Sequence, residues 1–237
     1  MVTIIGRGNV ASHLYQALKD KTEVTVVNPR TLEELPAESD FIIISVSDNA
    51  IREIVEKLPP TDAIVAHTAG SVPMECLKGA SDNFGVFYPL QTFTKGITLD
   101  YSKIPVFIEG SSPEVVSSLK RLAVLFSENV READSEKRKN LHLASVFACN
   151  FTNAMASISR SLLEDAGVDF SALVPLMQQT VNKLQDVSPE KAQTGPAVRG
   201  DTNVMESHLK MLENRRDLQQ IYSILSQYIS KNIKNES

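Results

Sequence analysis

The chain has few cysteines, no long apolar run and no excess of positive charge, and each shortage removes a class of function. Cys76 and Cys149 are its two cysteines. So few, and so far apart, they make no disulfide framework, and no Cys/His cluster has the spacing of metal ligands, so no metal site is expected. No apolar run approaches the roughly 18 residues of a membrane span, and no membrane partner is expected. Lys and Arg number 24 against 29 Asp and Glu, a net charge of −5. Non-specific nucleic-acid binding wants a basic surface, so no nucleic-acid partner is expected either. The N-terminus enters a strand at once, leaving no room for a cleavable secretion signal, and a cytoplasmic location is expected. There is no internal repeat, low-complexity tract or charge block. What remains, 237 residues at 42% hydrophobic and 22% charged, is an ordinary globular composition sufficient for one large domain or two small ones.

The first thirty residues are the most informative. Val2 to Ile5 is a short apolar run, and Gly6-Arg7-Gly8-Asn9-Val10-Ala11 is a G-x-G-x-x-A turn. Val10, Leu14 and Leu18 then recur at helical spacing, and Glu23 to Val27 closes the unit as a second strand. The turn needs one glycine to bend off the strand and one to let a pyrophosphate approach the N–H groups of the helix N-terminus. A strand before it and a helix after it are the context that separates a dinucleotide fingerprint from a glycine turn without a ligand. Gly6, Arg7, Gly8, Asn9 and Val10 are therefore expected to line a cofactor site. NAD-specific units place Asp or Glu about 20 residues beyond the glycines, on the ribose 2′-hydroxyl. Here that position is Asn28, with Arg30 shortly after it and Arg7 inside the turn. A neutral amide does not repel a 2′-phosphate and a guanidinium can fork onto its oxygens, so NADP(H) is expected over NAD(H). The alternative for Arg30 is a solvated loop residue.

A polar connector, Thr31 to Ser39, is expected as a loop or a one-turn helix. Phe41 to Ile44 and Ala63 to Ala66 read as buried parallel strands, apolar on both faces. Between them Ile51, Ile54, Val55 and Leu58 repeat at helical spacing, with Asp48 as the expected N-cap. Pro73 to Lys78 reads as a short helix, Phe84 to Phe87 and Pro105 to Ile108 as strands, Pro113 to Ser127 as a helix and Asn129 to Ala133 as a last strand. Alternation of this kind predicts a doubly wound, mostly parallel α/β sheet. From about Asp134 only helical patterns are present, roughly over 136–166, 171–186 and 201–233, the last broken near Asn214-Arg215, with a fraying tail after Lys231. The expected division is a dinucleotide-binding domain at 1–134 and an all-α domain at 135–237.

On the helix from Glu136 to Ala166, 100° per residue places His142, Ser145, Cys149 and Asn153 on one stripe, with Val146 and Asn150 at its edge. Leu141, Leu143, Phe147, Phe151, Ala154 and Met155 surround the stripe, which predicts a buried helix. Its polar groups must then be hydrogen-bonded, since an unsatisfied buried group costs about 1–3 kcal/mol. They face other polar groups of the protein or line a wet cleft, and both readings stay open for His142, Asn150 and Asn153. Ser45 and Ser47 lie at the carboxyl end of a strand, and His67 ends the next one in His67-Thr68-Ala69-Gly70-Ser71, where small and hydroxyl residues suit a ligand. The alternative is a turn that merely starts the next helix. In Tyr88-Pro89-Leu90-Gln91-Thr92-Phe93, Gln91 and Thr92 are hydrogen-bonding candidates, or the loop is packed by Tyr88 and Phe93. Arg199, between Gly195 and Gly200, suits a substrate carboxylate or phosphate, or else a surface ion pair. Asp201 reads as an N-cap, and His13 and His208 as structural.

The glycine turn, H-T-A-G-S, Y-P-L-Q-T-F, H-L-A-S-V-F-A-C-N-F-T-N and G-P-A-V-R-G-D together resemble, over essentially the whole chain, a bacterial Rossmann-like family. The helical C-terminal half of that family is catalogued only as a domain of unknown function. More distantly the chain resembles the superfamily of 6-phosphogluconate dehydrogenase, 3-hydroxyacid dehydrogenases and pyrroline-5-carboxylate reductase. The resemblance implies a nucleotide domain, a helical domain that commonly makes a homodimer, and a cleft between the two. The 3-hydroxyacid dehydrogenases carry Lys and Asn one turn apart on the first helix of the helical domain. Aligned on Asn150, the lysine position here is Val146, so that proton donor is missing, and His142, one turn further back, is its candidate replacement. The activity expected is hydride transfer between NADP(H) and a small polar substrate, a keto acid, hydroxy acid or imine. Ser45, Ser47 and His67 would lie near the nicotinamide, His142 would carry the proton, and Asn150, Asn153, Ser71, Gln91 and Arg199 would orient the substrate. The alternative is a dinucleotide-binding sensor or partner protein without redox chemistry.

Overall fold

The structure, a computed structural model, describes residues 1–32, 35–36 and 38–232. The expectations for the connector at 33–34 and 37, and for the tail from 233 onward, lie outside the described residues. The chain forms two compact units, Met1–Ala154 and Met155–Ser237.

The first unit is built on a seven-stranded sheet: β1 (Val2–Ile5), β2 (Val24–Val27), β3 (Phe41–Ile44), β4 (Ile64–His67), β5 (Phe84–Pro89), β6 (Val106–Gly110) and β7 (Val130–Glu132), in the order β2-β1-β3-β4-β5-β6-β7. Every pairing is parallel except β5 with β6. The strand order turns back at β1, whose neighbours are β2 on one side and β3 on the other; in sheets of this kind ligands bind outside the carboxyl ends of the strands at such a point. Both faces are covered, which is why β3 reads as an unbroken apolar run. Alternate residues serve opposite faces. Ile4, Ile43 and Phe87 pack with Leu14 and Leu18 of α1 (Asn9–Leu18) and with Leu119 and Phe126 of α3 (Pro113–Phe126), while Ile5, Ile42 and Ile44 pack with Ile51 and Ile54 of α2 (Ile51–Lys57). Each such side chain, fully buried, contributes about 1.5–3 kcal/mol of transfer free energy.

Pro113 opens α3 behind Ser112, which accepts from the Val115 N–H, as its sequence suggests. Asp48 does otherwise. It begins a short 3₁₀ turn, Asp48–Ala50, and its carboxylate accepts a hydrogen bond from the Ser71 hydroxyl at 2.5 Å instead of capping α2.

After β7 the chain is helical from Ser135 to Asp165, through α4 (Ser135–Ser145), a π-helical stretch at Val146–Phe151 and α5 (Thr152–Asp165). The first unit keeps this run through Ala154. The wide π turn invalidates a 100° projection beyond Ser145, so Cys149 and Asn153 do not continue the stripe of His142. The prediction of a buried helix is also corrected. Leu143, Phe147 and Phe151 are 57%, 64% and 48% exposed, and Cys149, Asn150 and Asn153 are exposed with them. An apolar circumference here does not find its cover within the described residues.

The second unit continues with α6 (Val174–Asn182), α7 (Pro189–Ala192), α8 (Pro196–Arg199), α9 (Thr202–Met211) and α10 (Arg216–Asn232). The break between α9 and α10 falls at the expected Asn214-Arg215. Asp201 occupies the N-cap position of α9 but makes no side-chain cap, its carboxylate lying 3.6 Å from Arg199.

Candidate functional site

The turn between β1 and α1 is shaped by two glycines with different duties. Gly6 has φ +147°, and a Cβ there would stand 2.0 Å from the Ser45 carbonyl oxygen, so β1 and the end of β3 approach as closely as they do only because Gly6 has no side chain. Gly8 has an ordinary φ of −77°, and a Cβ on it would meet nothing within 4 Å. Space lies open in front of it. α1 starts at Gly8 without a side-chain cap and without an acidic residue in its first turn, so its first N–H groups face that space unpartnered by any side chain. Ala11, at the third fingerprint position, is buried under the turn. Gly6 N–H donates to the Val27 carbonyl at 3.1 Å, which brings the end of β2 beside the turn. Asn28 follows there, its Oδ1 accepting from the Arg30 N–H at 3.1 Å, and both Arg7 and Arg30 are exposed. Asn9 donates to the Phe93 carbonyl at 2.9 Å and so ties the turn to the loop after β5. Val10 is half-buried on the first turn of α1.

Sequence reasoning missed the group that anchors the far side. Arg138 is fully buried on α4 and ion-pairs with Glu109 of β6. Its Nη2 donates to the Val72 carbonyl at 2.5 Å and to Ser135 Oγ at 3.3 Å, and Glu109 accepts the Ser135 N–H at 2.9 Å. One guanidinium thus joins β6, the loop after β4 and the start of α4. The signal was available, because Arg138 lies one helical turn before His142 on the same stripe.

That anchor aims His142 at the carboxyl ends of β4 and β5. Its Nδ1 lies 3.3 Å from the Tyr88 hydroxyl, with the rings edge-on at 6.3 Å, and no hydrogen bond among the described residues occupies Nε2. Gly70 stands against both. A Cβ there would be 2.6 Å from His142 Nδ1 and 2.8 Å from Tyr88 Cζ, so the H-T-A-G-S segment needs its glycine for room rather than for a turn. Tyr88 is 8% exposed, and burial pushes its hydroxyl pKa up despite the nearby Arg138 charge. Tyr88 was read only as packing, and its polar role could not be seen without knowing that α4 crosses it.

The other expected residues divide. Ser45 is buried and accepts from Thr68 Oγ1 at 3.4 Å, while Ser47 is exposed at the start of the 3₁₀ turn. Ser71 bridges to Asp48 and so links the loops after β3 and β4. His67 is fully enclosed, its Nδ1 accepting the Ala69 N–H at 3.2 Å, and its side chain does not face an open space. Burial first, and Arg138 second, lower its pKa from 6.5 to about 4. Nε2 is buried with no hydrogen-bond partner among the described residues. Gln91 turns back on its own backbone, accepting the Thr92 N–H at 2.7 Å. Arg199 belongs to the second unit. His13 is clamped between Tyr101 and the Thr94 carbonyl, both at 2.9 Å, and His208 bonds Tyr222 at 2.9 Å, so both are structural.

The family profile described as Domain of unknown function (DUF2520) matches residues 104–229. Among solved structures, the chain is 37% identical to a Bacteroides fragilis protein proposed to be an NADP oxidoreductase, covering 98% of each chain with a TM-score of 0.88. It is 22% identical to a Thermotoga maritima protein, again over 98% of each chain, with a TM-score of 0.73. A reductive aminase from Aspergillus terreus, solved with NADPH and ethyl levulinate, shares the fold at 13% identity and a TM-score of 0.73 over 100% of this chain and 95% of that one. No curated protein matches the chain.

Proposed function

The chain belongs to the family described as Domain of unknown function (DUF2520), and from that membership we propose an NADP(H)-dependent oxidoreductase acting on a small polar substrate, a keto or hydroxy acid or an imine. One observation carries the reading: α1 begins uncapped at Gly8, before open space and beside the strand crossover, whereas α3 and α4 are each capped by a side chain. The residues fit a dinucleotide. Gly8 and the first N–H groups of α1 suit its pyrophosphate, and Asn28, Arg30 and Arg7 suit a 2′-phosphate. The Bacteroides fragilis relative and the NADPH-bound reductive aminase support that choice of cofactor.

When bound, the nicotinamide supplies or accepts the hydride. His142 supplies or removes the proton through Nε2, acting on the oxygen or nitrogen that gains or loses charge. Asn150, Asn153, Ser71, Gln91 and Arg199 are the proposed orienting groups. A cytoplasmic setting is part of the proposal, and the net charge of −5 disfavours a nucleic-acid partner. No helix among the described residues is long and apolar enough to cross a membrane. A homodimer is part of the proposal, because the exposed Leu143, Phe147 and Phe151 call for cover by a second copy. A second reading, a dinucleotide-binding sensor without redox chemistry, is favoured by Val146 at the lysine position.

The test is a paired titration with NADPH and NADH followed by nucleotide fluorescence, then a screen of keto acids and imines for NADPH oxidation. NADPH binds more tightly than NADH, and Arg30→Ala weakens it about tenfold by removing a charge-assisted contact. Binding of neither nucleotide overturns the reading. Binding without oxidation of NADPH by any keto acid or imine favours the sensor.

A further inference from the structure

One face of α1 holds the loop that follows β5. From 90 to 100 the chain is irregular, and its one internal backbone hydrogen bond among the described residues runs from the Ile97 N–H to the Thr94 carbonyl at 3.2 Å. The loop is therefore held from outside. Upstream, the Leu90 N–H donates to the Pro105 carbonyl at 2.8 Å. Beyond that point α1 takes over. Asn9 Nδ2 donates to the Phe93 carbonyl at 2.9 Å, and His13, one turn further along the same face, bonds the Thr94 carbonyl through Nε2 and the Tyr101 hydroxyl through Nδ1, each at 2.9 Å. A carbonyl only accepts, so Nε2 carries the hydrogen. Gln91, a proposed orienting group, and Thr92 are exposed and are caught between the anchored Leu90 and Phe93. From that geometry we propose that Asn9 and His13 are positioning residues that fix Gln91 and Thr92 against the cofactor helix, and that nucleotide seated at Gly8 tightens the hold, a proposal that rests on the NADP(H) reading.

The bonds that make His13 structural also give it direction. His13 and Phe93 are 4% and 8% exposed, with ring centroids 4.9 Å apart. An apolar ring would fill that space without fixing where the loop carbonyls lie. A buried imidazole needs partners on both nitrogens, and Thr94 and Tyr101 supply them only while the loop stands in one place. Asn9 joins this hold to the cofactor. It is the first residue of α1, so its main-chain N–H belongs to the uncapped helix N-terminus while its side chain carries Phe93. A pyrophosphate that accepts from that N–H steadies the residue on which the loop hangs. Coupling of this kind is reciprocal, so releasing the loop weakens the nucleotide by the factor with which the nucleotide steadies the loop. Neither residue makes or breaks a bond in the substrate; both act through Gln91 and Thr92.

The test is amide hydrogen exchange read by mass spectrometry, with and without NADPH, in wild type, His13→Phe and Tyr101→Phe, beside nucleotide-fluorescence titration of the same proteins. NADPH is expected to slow exchange over 92–97 in wild type by about threefold or more. His13→Phe keeps a ring against Phe93 but frees the Thr94 carbonyl; it abolishes that slowing and weakens NADPH about three- to tenfold, the value of one hydrogen bond. Tyr101→Phe leaves the Thr94 bond in place and keeps slowing and affinity within about twofold of wild type. Should His13→Phe not fold, Asn9→Ala, which frees the Phe93 carbonyl, takes its place with the same expected loss of slowing. NADPH that binds wild type without slowing 92–97, or slowing that survives His13→Phe, overturns the inference alone. Equal weakening in His13→Phe and Tyr101→Phe also overturns it, by tracing the effect to stability. Absence of NADPH binding overturns the nucleotide reading and this inference with it, and the titration shows that result by itself.

Discussion

Acidification from pH 7 to pH 5 should weaken the sheet-bearing unit through His67. The ring is fully enclosed at the end of β4, and burial, helped by the Arg138 charge, holds its pKa at about 4 against 6.5 when unexposed to these effects. The folded state thus refuses a proton that the unfolded chain takes up. Stability from this source is complete above pH 6.5 and is lost as pH falls toward 4, so it rises with pH across that window. The full difference between pKa values of 6.5 and about 4 corresponds to about 3 kcal/mol, of which about 2 kcal/mol is lost between pH 7 and pH 5. Urea unfolding at the two pH values, in wild type and His67→Asn, isolates it. Asn keeps an oxygen near the place of Nδ1 to accept the Ala69 N–H, but does not titrate. Exposed carboxylates such as Asp100 and Asp134, whose pKa values are lowered by hydrogen bonds, cancel in the comparison. Wild type should lose about 2 kcal/mol more than the variant. With only four histidines, imidazole NMR gives an independent check, because the His67 signal should not move between pH 7.5 and 5.5. A His67 signal titrating near 6.5, or equal acid losses in both proteins, would refute the reasoning.

Two further outcomes are expected. Gly8→Ala should leave thermal unfolding within about 0.5–1 kcal/mol of wild type, since its Cβ enters open space, yet should weaken NADPH by tenfold or more because that space is the proposed pyrophosphate seat. Calorimetry and nucleotide titration on the same sample would show it, and undiminished affinity would move the cofactor elsewhere. Phe147→Glu should turn a dimer into a folded monomer in sedimentation velocity, since it charges an exposed apolar face. A wild type that sediments as a monomer at micromolar concentration would end the homodimer proposal.

The elements that carry their own period or cap were legible in the sequence. β3 and β4 announced themselves as strands buried on both faces, Pro113 marked the start of α3, and the break before α10 fell where Asn214-Arg215 interrupts the pattern. The glycine turn was legible too, though its two glycines act differently: Gly6 yields to the Ser45 carbonyl and Gly8 to nothing inside the protein. What stayed hidden depends on which elements meet. Tyr88 and Gly70 acquire their roles from α4, and nothing in Y-P-L-Q-T-F or H-T-A-G-S says that a helix begun some fifty residues later crosses them. Arg138 stayed hidden for a related reason, because a basic residue in a polar helical turn ordinarily reads as solvated, and only Glu109 on β6 makes its burial tolerable.

The helix from Ser135 to Asp165 marks the limit of reading by periodicity. A period of 3.6 assumes one helical geometry throughout, and the π turn at Val146–Phe151 adds rotation that sequence spacing does not register. His142 and Ser145, before the π turn, are half-buried, the first beside the Tyr88 hydroxyl and the second bonded to the Leu141 carbonyl, while Cys149, Asn150 and Asn153, within or after it, are exposed. Apolar content misled differently. Leu143, Phe147 and Phe151 do demand cover, and hydrophobicity measures that demand correctly. It does not say whose atoms supply the cover. The edge-on contact of Phe147 with Phe151 at 4.9 Å, made on an exposed surface, is a face half-assembled, and the proposed second copy completes it.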